Sequence, residues 1–232
     1  MVVGKRKLKK WAELETYEHV IQPPFEEVYK KDFYLKGKWA STYFKNDHPV
    51  IIELGCGKGE YTIGLARRFR NKNFIGIDIK GARMWKGAKI AKEEELNNVA
   101  FIRTRIELIN SFFGRNEVDE IWLTFPDPQI KKKRNKKRLT GSRFLNSYKQ
   151  FLRSGGSIHL KTDNTILYNA TLDLIKANNL SILQSSEDLY AEPDLDSVLA
   201  IQTFYEKQYR EQECPIKYIR FHLDRDGPIK ES

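Results

Sequence analysis

The chain is poor in the residues that staple or metallate small folds: of 232 residues, two are cysteine, two methionine and four histidine. Cys56 and Cys214 are too few for a disulfide framework, and the scattered histidines lack metal-ligand spacing, so reduced thiols and no structural metal are expected. No apolar run approaches the roughly 20 residues that span a bilayer. The N-terminal MVVGKRKLKK leads into WAELETYEHV, not into an apolar signal core. A membrane partner is therefore not expected, and the cytoplasm is the expected compartment. Internal repeats are also lacking. Positive charge is what the chain has in excess, with 41 Lys+Arg against 31 Asp+Glu and a net charge of +10. Such a field attracts polyanions and is screened by salt, which favours nucleic acid as a partner. At this length and 40% hydrophobic content, one compact domain with an appendage is expected.

Residues 1–46 are rich in Lys, Glu and Tyr, have weak periodicity and contain the breaker pair Pro23-Pro24. They read as a basic N-terminal extension that is partly disordered, ahead of a domain spanning 47–232. In that domain VIIEL, FIGID, VAFIR, EIWLTF and SIHLK are short apolar runs of buried-strand type. Segments with helical spacing separate or follow them, such as YTIGLARRFR and NTILYNATLDLIKANN. Alternation of this kind predicts an α/β fold with a doubly wound, mostly parallel sheet covered on both faces. LSILQ and IKYIRFHL extend the strand signal, while residues 200–209 suit either strand or helix. In IKYIRFHL, Ile219, Phe221 and Leu223 alternate with more polar neighbours, the pattern of a strand with one exposed face.

IELGCGKGE sets Gly55, Gly57 and Gly59 between a predicted strand and a predicted helix, where missing side chains let a ligand approach the backbone. A dinucleotide loop reads G-x-G-x-x-G and cradles pyrophosphate. Here the third glycine comes one residue early and Glu53 precedes the loop, which disfavours an anion. A carboxylate suits S-adenosylmethionine, whose sulfonium and ammonium are cationic. Asp78 ends the next strand, where an acid in this architecture accepts from ribose hydroxyls. The competing reading is a turn of glycines with Glu53 and Asp78 as helix caps.

EIWLTFPDPQIKKKRNKKR passes from a strand into a Pro126-Asp127-Pro128 turn and then a tract with seven cations in the eight residues 131–138. In a doubly wound sheet this turn lies on the strand-end side, so Asp127 is expected to face the same crevice as Glu53 and Asp78. The tract has the composition of a phosphate-binding loop, against the plainer alternative of a solvated charge run. KTDN ends another strand and makes Asp163 a further candidate, with a helix N-cap as its other possible role.

Taken together, KGKW (Lys36 to Trp39), IELGCGKGE, FIGID, the PDP turn with its basic tract, KRLT (Lys137 to Thr140), GGSIHLKTDN and TFYEKQY (Thr203 to Tyr209) resemble the bacterial tRNA (guanine-N7)-methyltransferase family, over about four-fifths of the chain. The resemblance implies a Rossmann-like class I methyltransferase fold with an antiparallel C-terminal strand. It also implies S-adenosylmethionine as cofactor and tRNA as partner, with the variable-region guanine as substrate. Glu53, Gly55, Gly57, Gly59, Asp78, Arg105 and Asp127 then stand at cofactor positions, with Asp127 also at the position treated as catalytic. Lys131, Asp163 and Thr203, Phe204, Tyr205 and Glu206 stand at substrate positions, and Lys133, Arg134, Asn135, Lys136, Lys137 and Arg138 in the RNA-interacting tract. Two departures stand out. The family's D-P-W-P-K-K-R-H is here Asp127-Pro128-Gln129-Ile130-Lys131-Lys132-Lys133-Arg134, without the aromatic, the second proline or the histidine. Arg105 also occupies a position where the family offers an acid to adenine, and an arginine cannot accept from an amino group; Glu107 or a backbone carbonyl is the substitute.

Guanine N7 has a lone pair and no proton, so its methylation needs no general base and catalysis rests on positioning. A carboxylate such as Asp127 suits the positive charge that arrives on the purine, and Asp163 or Glu206 is expected to accept from guanine N1–H and N2–H. The rival readings are a methyltransferase acting on another RNA atom, a nicotinamide-dependent oxidoreductase, and a silent RNA-binding module of the same fold. No motif encodes an oligomeric state.

Overall fold

The structure, a computed structural model, describes residues 5–231, without the side chains of Lys5, Arg6 and Lys132; residues 1–4 of the expected extension lie outside the described residues. In chain order the first elements are α1 (Lys5–Leu14), β1 (Val20–Ile21), α2 (Phe25–Val28), a π-helical turn (Trp39–Phe44), β2 (Val50–Leu54), α3 (Glu60–Arg68), β3 (Asn73–Asp78), α4 (Gly81–Glu93), β4 (Val99–Arg103) and a 3-10 turn (Ile106–Ser111). There follow β5 (Val118–Thr124), a second 3-10 turn (Lys132–Lys137), α5 (Ser142–Tyr148), β6 (Leu152–Thr162), α6 (Thr165–Ala177), β7 (Ile182–Ser186), α7 (Phe204–Glu211) and β8 (Lys217–His222). The chain forms two compact units that divide between Phe113 and Gly114.

In the N-terminal unit the strands lie in the order β1-β4-β3-β2, all parallel. Every residue of β2 is buried, Glu53 among its apolar neighbours included, as a strand covered by helices on both faces requires. The segment read from sequence as an extension is built into this unit. Val20 pairs with Phe101, and Leu14, Tyr17, Val28, Phe33, Leu35 and Trp39 are buried. The Trp39 indole donates to the Phe112 carbonyl at 2.7 Å. Helix α1 is amphipathic over ten residues; after it, single aromatic and aliphatic anchors on very short elements order the segment, which is why periodicity is weak there.

In the C-terminal unit the order is β5-β6-β8-β7; β5 and β6 are parallel, and β8 is antiparallel to both of its neighbours. The sequence pattern of β8 predicts one exposed face, but Lys217, Tyr218, Ile219 and Phe221 are all buried. Helix α6 packs against β8, and the Tyr218 hydroxyl reaches the His159 ring nitrogen Nδ1 at 2.8 Å. Residues 204–211, which by sequence suit strand or helix, are helical because Thr203 and Glu206 form a capping box at the start of α7.

One close approach in the N-terminal unit fixes the loop after β2. The Phe101 ring of β4 lies against Gly59, Gly76 and Gly87. A Cβ added at these glycines would come within 2.8, 2.7 and 3.0 Å of ring atoms, and at Gly87 also within 2.7 Å of the Lys58 carbonyl oxygen. At Gly57 an added Cβ would find only the Gly55 carbonyl, at 3.9 Å. Two of these sites should lose stability in thermal unfolding for different reasons. Gly87→Ala should overpack against rigid backbone at the upper end of the about 1–3 kcal/mol that overpacking costs, and a helix-propensity gain of at most about 1 kcal/mol offsets only part of it, so Tm should fall by several degrees. Gly57→Ala should lose a similar roughly 1–2 kcal/mol from a side chain at positive φ alone. A Gly87→Ala protein as stable as wild type would contradict the packing described.

Candidate functional site

The loop after β2 turns through Gly55, Gly57 and Gly59, whose φ angles are +79°, +56° and +70°, a left-handed conformation that glycine adopts without penalty. The amides of Gly55 and Cys56 donate to the Ile77 carbonyl at 2.8 and 3.1 Å, tying the loop to the end of β3. Asp78 at that end accepts from the Gly57 amide through Oδ2, at 2.9 Å, and from the Lys80 amide through Oδ1, at 2.8 Å. A carboxylate oxygen has two acceptor sites, so each oxygen keeps one for a ligand hydroxyl. Glu53 is buried, and its Oε2 accepts from the Thr62 amide at 2.9 Å and the Thr62 hydroxyl at 2.5 Å. Glu53 therefore braces the first turn of α3, the capping role that the sequence left as the alternative, whereas Asp78 caps no helix and ties the glycine loop to the chain after β3, with acceptor capacity to spare. Burial first, then the charges of Glu53 and Asp78, pushes the Cys56 thiol well above its usual range, so it stays neutral in the loop.

These groups suit S-adenosylmethionine: open space at Gly57 lets a ligand reach the backbone, two acids surround it with negative charge, and Asp78 retains acceptors for two hydroxyls. At the end of β4, Arg105 opens the 3-10 turn with its side chain exposed, and its carbonyl accepts from the Leu108 amide at 3.0 Å. Glu107 is exposed as well.

In the C-terminal unit the Pro126-Asp127-Pro128 turn is bracketed by two non-glycine residues at positive φ, Phe125 at +50° and Gln129 at +47°. Left-handed backbone costs such residues roughly 1 kcal/mol or more each and persists where surroundings over-determine it. Here the Phe125 amide donates to the Lys161 carbonyl at 2.8 Å, and its ring stacks on Tyr209 of α7 with centroids 5.8 Å apart. Asp127 accepts from the Gln129 amide at 2.9 Å and is exposed. The tract read from sequence as cationic loop is a single 3-10 turn. Lys131, Lys133, Arg134, Lys136 and Lys137 are exposed, Asn135 and Arg138 partly so, and Arg138 Nε donates back to the Pro128 carbonyl at 3.1 Å.

Asp163 follows β6, and the helix N-cap is its neighbour Asn164, whose side chain accepts from the Leu167 amide at 2.9 Å. Burial raises the Asp163 carboxyl above its usual range, with Lys217 opposing. The carboxylate of Glu206, expected to accept from guanine, is instead wholly buried and committed within the protein. Its Oε1 meets Lys161 Nζ at 2.7 Å and accepts from the Tyr190 hydroxyl at 2.8 Å, while Oε2 accepts from the Thr203 amide at 3.3 Å. Lys161, equally buried, also donates to the carbonyls of Leu199 at 2.8 Å and Ile201 at 3.2 Å, so its three protons have three acceptors. This pair anchors the Thr203–Glu206 stretch and leaves Phe204 and Tyr205 exposed, 41% and 37%, as an edge-to-face aromatic pair. Lys161 lies within the KTDN motif, but the motif by itself assigns it no role. The available signal was the T-x-x-E spacing of a capping box, which turns the glutamate toward the helix start. Among the described residues no group of three or more His, Cys, Asp or Glu could hold a metal ion.

A protein family described as "Putative methyltransferase" matches residues 47–219. A protein of Christiangramia forsetii named "tRNA (guanine-N(7)-)-methyltransferase" is 56% identical over 221 residues, which is 95% of this chain and 99% of that protein. A protein of the same name from Bacteroides fragilis is 48% identical, over 99% of this chain and 90% of its own length. Among solved structures, the 16S rRNA methyltransferase KamB aligns over 78% of this chain and 90% of its own with a TM-score of 0.59 at 13% identity, a likeness of fold.

Removing one member of the Lys161–Glu206 pair should strand a buried charge. Lys161→Met is expected to cost about 3–5 kcal/mol in urea unfolding, whereas the double variant Lys161→Met/Glu206→Leu should regain much of that loss. A single variant that unfolds like wild type would contradict the pairing.

Proposed function

The chain belongs to the tRNA (guanine-N(7)-)-methyltransferase family, and from that premise we propose that its target is the guanine at position 46, in the variable region of tRNA. It transfers a methyl group from S-adenosylmethionine to N7 of a tRNA guanine. The cofactor supplies an electrophilic methyl on a sulfonium, and N7 supplies a lone pair without a proton to remove. What remains for the protein is to bind, orient and neutralise charge.

Each task falls to named residues in this proposal. Gly55, Gly57 and Gly59 admit the cofactor to the backbone, Asp78 accepts from its ribose hydroxyls, and Glu53 and Asp78 set negative charge around its cationic groups. At the adenine end Arg105 has no acceptor on its side chain, and the exposed Glu107 takes the amino group. Asp127 stabilises the positive charge that arrives on the purine. Asp163 accepts from guanine N1–H and N2–H, a donor pair that only guanine presents. Lys131, Lys133, Arg134, Asn135, Lys136, Lys137 and Arg138 hold backbone phosphates, and Phe204 and Tyr205 stack on unpaired bases. The observation that carries this assignment is the 3.1 Å bond from Arg138 to the Pro128 carbonyl, which fastens the cationic tract to the turn bearing Asp127. No helix among the described residues is long and apolar enough to cross a membrane; action on tRNA in the cytoplasm is part of the proposal.

Asp127→Asn keeps the turn's shape and removes its charge. It should lower kcat about 10²-fold or more, with tRNA affinity nearly unchanged; full turnover would refute the electrostatic role. For the position, a tRNA transcript carrying adenine in place of guanine 46 should accept no methyl group, and undiminished transfer to it would refute that choice.

A further inference from the structure

Two acids of the C-terminal unit leave the sheet at neighbouring strand ends. Thr124 of β5 pairs with Lys161 of β6, and the Phe125 amide donates to the Lys161 carbonyl at 2.8 Å, so the turn bearing Asp127 and the loop bearing Asp163 start side by side. Tyr209 of α7 lies at this junction, its ring stacked on Phe125 with centroids 5.8 Å apart and planes inclined by 26°. Tyr205 stands one turn earlier on the same helix face. Other tyrosine hydroxyls of the fold are engaged: Tyr17 with Glu13, Tyr190 with Glu206 and Tyr218 with His159. The Tyr209 hydroxyl makes no hydrogen bond among the described residues, and the residue is partly exposed, within reach of a ligand. Burial first, then the charge of Asp163, raises its pKa above the usual range, so the phenol keeps its proton and stands as a donor.

On the rim of guanine, O6 lies between N7 and N1–H. Asp127 answers the positive charge that arrives through N7, and Asp163 takes the N1–H and N2–H donors, which leaves O6 as an acceptor without a partner. We propose that Tyr209 is a specificity-determining residue that donates its hydroxyl hydrogen to O6 of the target guanine. The inference rests on the proposed reading of Asp127 and Asp163 as guanine contacts. It places one donor between two acceptors, in an order that matches guanine. Adenine presents an amino donor where guanine has O6, and its N1 has no hydrogen to give Asp163.

Tyr209→Phe removes the hydroxyl and keeps a ring to stack on Phe125. With unmodified tRNA, kcat/KM for methyl transfer should fall roughly 3- to 10-fold, the range of one hydrogen bond. Calorimetric affinity for S-adenosylmethionine and Tm should be unchanged. A second tRNA, ligated from synthetic fragments, carries 6-thioguanine at the position that the wild-type protein methylates; it keeps N1–H and N2–H but offers sulfur, a weak acceptor, in place of O6. Wild type should lose a similar factor on this tRNA, and Tyr209→Phe should lose little more, because the two changes remove the same bond. A full further loss in the variant on 6-thioguanine would set the hydroxyl away from O6 and overturn the proposal. So would wild-type kcat/KM in Tyr209→Phe on guanine, or a loss accompanied by a Tm several degrees lower, which would assign the hydroxyl to the fold. Formation of 7-methylguanosine by the wild-type protein and the kcat/KM of Asp163→Asn are measured alongside, so that failure of the tRNA reading or of the Asp163 contact registers separately from failure of the Tyr209 contact.

Discussion

Much in the N-terminal unit depends on one aromatic ring having three glycines to lie against. Phe101 fills the space that side chains at Gly59, Gly76 and Gly87 would occupy, and so draws the glycine loop, β3 and α4 onto β4. That approach sets where the loop amides end, hence where Asp78 receives the Gly57 N–H and where a ligand finds room at Gly57. Two of the loop glycines thus do different work. Gly57 leaves space for a ligand, whereas Gly59 leaves space for the protein's own core, and both also need left-handed backbone.

In the C-terminal unit a buried ion pair has the comparable place. Lys161 and Glu206 are each fully desolvated, which is costly unless every proton and lone pair is met. The carbonyls of Leu199 and Ile201, the Tyr190 hydroxyl and the Thr203 amide meet them. The consequence is specificity of placement: the chain entering α7 has one way to satisfy the pair, and that way turns Phe204 and Tyr205 outward. The Phe125–Tyr209 stack then links α7 to the strained turn at Asp127. Recognition residues stand on an exposed surface whose position is set by buried charge underneath.

What the sequence discloses follows from which interactions are local. Alternating apolar runs and helical segments make the parallel α/β plan legible, and strand-loop-helix order with Gly55 to Gly59 and Asp78 makes the cofactor loop legible. The PDP turn and its cationic tract are visible as composition, although their 3-10 winding and the Arg138 tie are not, because six consecutive polar residues carry no apolar periodicity. Glu206, set among the substrate positions by the family resemblance, is buried against Lys161, a partner 45 positions earlier that no local pattern links to it. Beyond α1, residues up to 46 read as an extension because their order comes from isolated anchors such as Val28 and Trp39, which leave no repeating pattern.

The account stands or falls on the atom that receives the methyl group. The protein is incubated with unmodified tRNA and S-adenosylmethionine carrying a deuterated methyl, and the tRNA is then digested to nucleosides for mass spectrometry. The label should appear in 7-methylguanosine and in no other nucleoside. Label in an exocyclic-amine or ribose-methylated product, or none at all while calorimetry registers bound cofactor, would contradict it.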